Sequence, residues 1–126
     1  MYYKDMEVWK EAIKLVTAIY QETEQFPKSE MFGLASQIRR CVVSIPSNIA
    51  EGTVKHSDKE TLRFLDISLG SLAELDTQII IAQKLGFITD LEEFSNQISK
   101  VRALLSGLIK YYEKQLSWNE LSALVP

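Results

Sequence analysis

One cysteine, Cys41, and one histidine, His56, supply the only thiol and the only imidazole in 126 residues. A thiol–imidazole pair and a Ser/His/Asp relay both depend on that single imidazole being brought to its partner by the fold. His56 lies in the polar run TVKHSD and reads as a solvated loop residue. Cys41 stands among Ile38, Val42 and Ile45 and reads as a buried, unreactive thiol, because only the neighbouring Arg39 and Arg40 would lower its pKa. Glu51 and Glu74 could be set against each other as a hydrolytic pair, but no nucleophile, metal set or cofactor loop accompanies them. The Glu-x-x-His pairs that hold metals inside helical bundles are absent. Gly33, Gly52, Gly70, Gly86 and Gly107 are too scattered for a phosphate or dinucleotide loop. The chain therefore reads as non-enzymatic, without cofactor or metal.

The remaining polar groups suit binding. Arg39 and Arg40 are adjacent, so on a helix they point about 100° apart and cannot both be buried. They form either a solvated, ion-paired face or a phosphate contact. With Lys55 and Arg63 they make up the candidate nucleic-acid-binding set. The net charge of -3 and a pI near 5.2 exclude a generic polyanion binder that works by overall positive charge. The stretch from Met31 to Arg63 is nevertheless net positive, with Arg39, Arg40, Lys55, Lys59 and Arg63 set against Glu51, Asp58 and Glu60. A local basic patch on an acidic protein is compatible with this pattern.

A third feature is SIPSNIAEG, Ser44 to Gly52, which puts a proline inside what otherwise reads as one amphipathic helix. Pro46 removes a backbone donor and crowds the carbonyl one turn earlier, at a cost of about 3 kcal/mol in a helix interior. A kink is expected there, dividing the helix in two, with the freed carbonyl satisfied by Ser44, Ser47 or Asn48. Pro46, Asn48, Glu51 and Gly52 are the candidate kink or interface residues. In the structural reading, Asn48 and Glu51 satisfy backbone groups or pair with Arg39, Arg40 or Arg63. Asp76 occupies an otherwise apolar row on the next helix, close to Glu74, and marks a polar pair inside the bundle or at an oligomer interface.

These residues require helices to hold them. From Asp5 to about Gln25, Trp9, Ile13, Val16 and Tyr20 recur at steps of three and four, with Val8, Ala12, Leu15 and Ile19 in the adjacent row. Phe26-Pro27 ends that helix. Ser29 is expected to cap a second helix that runs through Leu34, Ile38, Val42, Ile45 and Ile49 to Gly52. Ser57-Asp58-Lys59-Glu60 has capping-box spacing and opens a third helix carrying Leu62, Leu65, Leu69, Leu72, Leu75 and Ile79, which stops at Gly86. Thr89-Asp90-Leu91-Glu92 repeats the box before a fourth helix with Leu91, Phe94, Ile98, Val101, Leu105, Leu108 and Tyr112. The fold expected is all-α, an antiparallel up-down four-helix bundle with a proline-kinked second helix over residues 1–116, followed by a tail over 117–126. Trp118, Leu121 and Val125 give the tail rough helical spacing, suited to capping its own bundle or docking on a neighbour. The double apolar rows of the first helix and Leu104, Leu108 and Tyr111 of the last exceed what one core needs, which points to a homo-oligomer. No run approaches the roughly 20 apolar residues of a membrane span and the first residues lack a signal-peptide pattern, so a cytoplasmic protein with no membrane partner is expected.

The segments EVWKEAIKLV, FGLASQIRRCVVSIPSNIAEG and LRFLDISLGSLAELDTQI closely resemble the bacterial four-helix-bundle proteins encoded in intervening sequences of 23S ribosomal RNA genes, over nearly the whole chain to about Lys114. The resemblance implies a homopentamer and a relation to accessory variability determinants of diversity-generating retroelements, basic barrels that bind nucleic acid and a reverse transcriptase. This chain departs from those relatives in its acidic pI. The family has no settled activity. Two functions follow: an oligomeric binding or scaffold protein that contacts RNA, DNA or a nucleoprotein, or a module that binds another protein and has no nucleic-acid role.

Overall fold

The computed structural model describes residues 2–116; the tail read at 117–126, with Trp118, Leu121 and Val125, lies outside the described residues. The helices are α1 (Glu7–Thr23), α2 (Leu34–Thr53), α3 (Asp58–Lys84) and α4 (Leu91–Gln115), with 3-10 turns at Tyr3–Asp5 and Lys28–Glu30. Each helix packs on the next and α4 returns to α1, closing an antiparallel up-down four-helix bundle.

Which apolar row turns inward decides what the bundle shows to its surroundings. On α1 the buried row is Val8, Ala12, Leu15 and Ile19, while Trp9 and Val16 are half-buried and Ile13 and Tyr20 are about 40% exposed, at 38% and 40%. On α3 Leu62, Leu65, Leu72, Leu75 and Ile79 are buried, with Ser68 sharing their row. Phe94, Ile98, Val101 and Leu105 complete the core from α4. At about 1.5–3 kcal/mol for each fully buried large aliphatic side chain, these rows supply most of the driving force.

The helix ends follow local chemistry, in two cases one or more residues away from the expected place. Ser29 falls within the Lys28–Glu30 turn and does not cap α2; Glu30 Oε1 instead accepts from the Leu34 amide at 3.2 Å. Ser57 caps α3 by accepting from the Glu60 amide at 3.1 Å. The reciprocal half of that box is replaced, because the Glu60 carboxylate accepts from Arg63 at 3.1 Å. At α4 the cap is Asp90, accepting from the Glu93 amide at 3.2 Å, one residue later than the Thr89 box. A carboxylate is the stronger acceptor at a helix N-terminus. Gly86 ends α3 at φ +83°, and Phe87 N donates to Ala82 O while Gly86 N donates to Gln83 O, a Schellman closure.

α2 and α3 approach closely at Gly52. A Cβ there would lie 2.8 Å from Phe64 Cβ and 3.2 Å from the Thr61 carbonyl oxygen, so α2 and α3 meet with no room for a side chain. Thr61 Oγ1 donates to Gly52 O at 2.8 Å across the same contact. Alanine gains helix propensity of about 1 kcal/mol over glycine, yet at Gly52 it must displace backbone and a ring-bearing Cβ. Gly52→Ala is therefore expected to destabilise the protein by about 1–3 kcal/mol, read as a lower Tm. Gly70→Ala, where a Cβ meets nothing within 4 Å, is expected to raise Tm slightly. Equal effects of the two substitutions would refute the close contact.

Candidate functional site

Pro46 is buried, and α2 runs from Leu34 to Thr53 as one helix rather than two segments. The backbone bond that Pro46 cannot make belongs to the Val42 carbonyl. The side-chain donors gather on neighbouring carbonyls instead: Ser44 Oγ donates to Cys41 O at 2.6 Å, Asn48 Nδ2 to Ser44 O at 2.7 Å, and Ser68 Oγ of α3 to Ile45 O at 2.9 Å. Asn48 thus bonds a backbone carbonyl, but not the one that Pro46 frees, which was expected to be satisfied by Ser44, Ser47 or Asn48. Ser47, exposed, faces a groove toward α1. Glu51 is exposed and makes no ion pair with Arg39, Arg40 or Arg63 among the described residues.

The four cations of the candidate nucleic-acid set occupy three places. Arg39 reaches back to α1: its Nε donates to Thr23 Oγ1 at 2.7 Å, its Nη2 to Tyr20 O at 3.2 Å, and its guanidinium lies 4.7 Å from the Tyr20 ring centre. α1 has no basic residue in its last turn, so Arg39 supplies the positive charge its C-terminus favours. Arg40, one position on, is exposed and lines a polar groove between α2 and α3 with Cys41, Ser44, Ser71, Glu74 and Gln78. Lys55 and Arg63 do come together. Lys55 Nζ and Arg63 Cζ lie 4.9 and 4.6 Å from the centre of the Phe64 ring. At 1.5 Å of rise per residue, they sit roughly 20 Å along the bundle from Arg40. Neither Phe64 nor the Thr23 anchor of Arg39 stood out in the sequence. A threonine in the last turn of α1 was the available signal for the second.

The face between α1 and α2 is apolar. Trp9, Val16, Val43, Pro46 and Ala50 line a groove of about 310 Å3 there, flanked by the exposed Ile13. Val43 is 39% exposed. Asp76 finds its partner on α4, Arg102 Nη2 at 3.5 Å, in a half-exposed pair outside the core. His56 is exposed, and no cluster of His, Cys, Asp and Glu among the described residues is placed to hold a metal.

Cys41 donates its thiol to Ser71 O at 3.0 Å, with Glu74 Oε2 3.7 Å away. Burial first, and the Glu74 carboxylate second, push its pKa up to about 12. The two arginines beside it in sequence do not offset this, because Arg39 is spent on α1 and Arg40 turns to the groove rim. At pH 8 Cys41 is therefore a thiol, and only the thiolate alkylates. Iodoacetamide at pH 8 is expected to modify folded protein at least about tenfold more slowly than protein unfolded in guanidinium; comparable rates would refute the assignment.

Residues 4–107 match the family described as 23S rRNA-intervening sequence protein. Among solved structures the chain is similar to a protein of unknown function from the S23 ribosomal protein family of Bacteroides thetaiotaomicron, with TM-score 0.77 and 22% identity, covering 87% of this chain and 99% of that one. A likeness at that identity speaks to the fold. No curated protein matches the chain. No helix among the described residues is long and apolar enough to cross a membrane. With the match spanning most of its length and the bundle in agreement, the chain belongs to the 23S rRNA-intervening sequence protein family.

Proposed function

We propose that this chain is a non-enzymatic, cytoplasmic scaffold that assembles as a homo-oligomer through its α1–α2 face and presents exposed cations to a structured RNA or nucleoprotein. The observation that carries the assembly is the apolar groove beside Pro46, where Ile13 and Val43 stay about 40% exposed around half-buried Trp9 and Val16, at 38% and 39%. A contiguous apolar face of this kind on a small bundle marks a protein contact. The resemblance seen in the sequence sets five as the copy number to check. The non-enzymatic reading rests on the high pKa of Cys41, about 12, and on the exposed, isolated His56.

Arg40, Lys55 and Arg63 are the exposed cations offered to phosphates, of which Arg63 must first give up its ion pair with Glu60 at 3.1 Å; Arg39 is engaged within the fold. Lys55 and Arg63 around Phe64 add an aromatic ring to two charges, the combination that serves single-stranded bases. Repetition around an oligomer would turn individually weak contacts into avidity. The family description, which refers to 23S rRNA, makes structured RNA the first partner to test. A second reading, a protein-binding module without nucleic acid, is favoured by the net charge of -3.

Light scattering followed by fluorescence anisotropy with a structured RNA and a DNA duplex across a salt series separates these readings. The expected result is an oligomer that binds RNA, with each phosphate contact removed in Arg40→Ala, Lys55→Ala or Arg63→Ala lowering the log–log salt slope by about 0.7–0.9. Arg39→Ala should instead lower Tm, since it strips the end of α1. A monomer at every concentration would overturn the assembly, and an intact oligomer with no salt-dependent binding would leave the protein-binding module.

A further inference from the structure

In the polar groove between α2 and α3, opposite charges face one space without pairing. Arg40 on α2 and Glu74 on α3 both line this groove of about 500 Å3, both are exposed, and they make no ion pair with each other. The bond from Cys41 to Ser71 O fixes the register: Arg40 directly precedes Cys41 and Glu74 follows Ser71 by one turn, so cation and carboxylate stand over the same stretch of both helices. Elsewhere on the bundle neighbouring charges do close, Arg63 on Glu60, Arg102 on Asp76, and Lys14 and Lys100 on Glu11.

The floor of the groove is rich in acceptors and short of donors. Gln78 lines it at 7% exposure, and its Oε1 is closed to solvent with no hydrogen-bond partner among the described residues. Its Nε2 makes only a long contact to Glu74 Oε1, at 3.5 Å, and the other Glu74 oxygen meets the Cys41 thiol at 3.7 Å. A buried amide oxygen in this state carries an uncompensated desolvation penalty. A charged N–H donor entering beside Glu74 would satisfy the carboxylate and, with a small turn about the soft terminal torsion of Gln78, the amide oxygen as well. At the rim, Arg40 offers the planar fork of donors that matches a carboxylate. The hydroxyl-bearing Ser44 and Ser71 line the space between, which favours a polar group over an apolar one.

We propose that the α2–α3 groove binds a small zwitterion of the α-amino-acid class with a polar side chain. Its ammonium sits on Glu74 and Gln78 Oε1, its carboxylate on Arg40, and its side chain between Ser44 and Ser71. The volume is within the usual range of small-molecule sites. The site depends on neither oligomer formation nor RNA; Arg40 belongs to both readings, so the decisive substitutions are at Glu74 and Gln78.

The test titrates full-length, 15N-labelled protein with L-serine, L-asparagine and L-glutamine, and with N-acetyl-L-serine and L-serinamide, which lack the ammonium and the carboxylate respectively. Expected is a saturable shift of the Ser71 and Glu74 backbone amides and the Gln78 side-chain amide with at least one of the three free amino acids, at a Kd of about 1 mM or tighter. Both blocked forms and the Glu74→Gln protein should bind at least about tenfold more weakly, each having lost a charge-assisted bond. Gln78→Leu should abolish binding while holding or raising Tm, since it replaces an unsatisfied amide with an apolar group of similar size. No saturable shift with any free amino acid, equal binding of the blocked forms, or undiminished binding in Glu74→Gln would overturn the proposal. A lower Tm in Gln78→Leu would make that amide a structural group and overturn its place in the site.

Discussion

Three hydrogen bonds tie α2 to α3 along their contact: Thr61 to the Gly52 carbonyl, Ser68 to the Ile45 carbonyl, and Cys41 to the Ser71 carbonyl. In each a small side chain of one helix reaches the main chain of the other. Helical backbones normally keep their carbonyls to themselves, so such bonds require axes close enough that no large side chain intervenes. Gly52, Ser68, Cys41 and Ser71 provide that closeness. Pro46 falls between the first and second bond, and the bond from Ser68 lands on the carbonyl just before it. The proline's disruption of α2 is thereby absorbed in the seam that holds the two central helices together. Slipping α2 by one residue against α3 would lose all three bonds and place a larger side chain where Gly52 must be.

Charge follows from the same arrangement. With α2 fixed on α3, the two successive arginines are committed to opposite sides, Arg39 toward α1 and Arg40 toward the α2–α3 groove. Arg39 is consumed in closing the end of α1, where it meets a hydroxyl, a carbonyl and a ring. The exposed cations are consequently separated along the bundle.

The helices were legible because their apolar periodicity is nearly unbroken, and the Gly86 stop and the Ser57 cap follow from residue chemistry with few competitors. The cap of α2 was not legible, since Glu30 acts only because a 3-10 turn brings its carboxylate round to the Leu34 amide. The inward row of α1 was ambiguous: two adjacent rows are both apolar, and the packing of α2 and α4 selects Val8 to Ile19 over Ile13 and Tyr20. The grouping of cations failed for a related reason. Helical geometry already set Arg39 and Arg40 about 100° apart in the sequence; what only the fold shows is that Arg39 turns to α1 and that Lys55 and Arg63 meet on Phe64. Asp76 was expected to mark a polar pair inside the bundle or at an interface; its pair with Arg102 lies half-exposed outside the core, on a partner distant in sequence that only the fold supplies.

The α2–α3 seam also has a dynamic consequence. α1 meets α4 through Glu11 and Lys100 on the surface, at 3.1 Å, and beside a groove not filled by the described residues. The central hairpin has main-chain acceptors engaged along most of its length. Local opening free energy is lowest where apolar packing is incomplete and polar ties are exposed. Hydrogen exchange is accordingly expected to be slowest in the α2–α3 hairpin and faster where α1 meets α4. Any partner that wedges between α1 and α4 would work against the weakest seam of the molecule while leaving α2 and α3 in register.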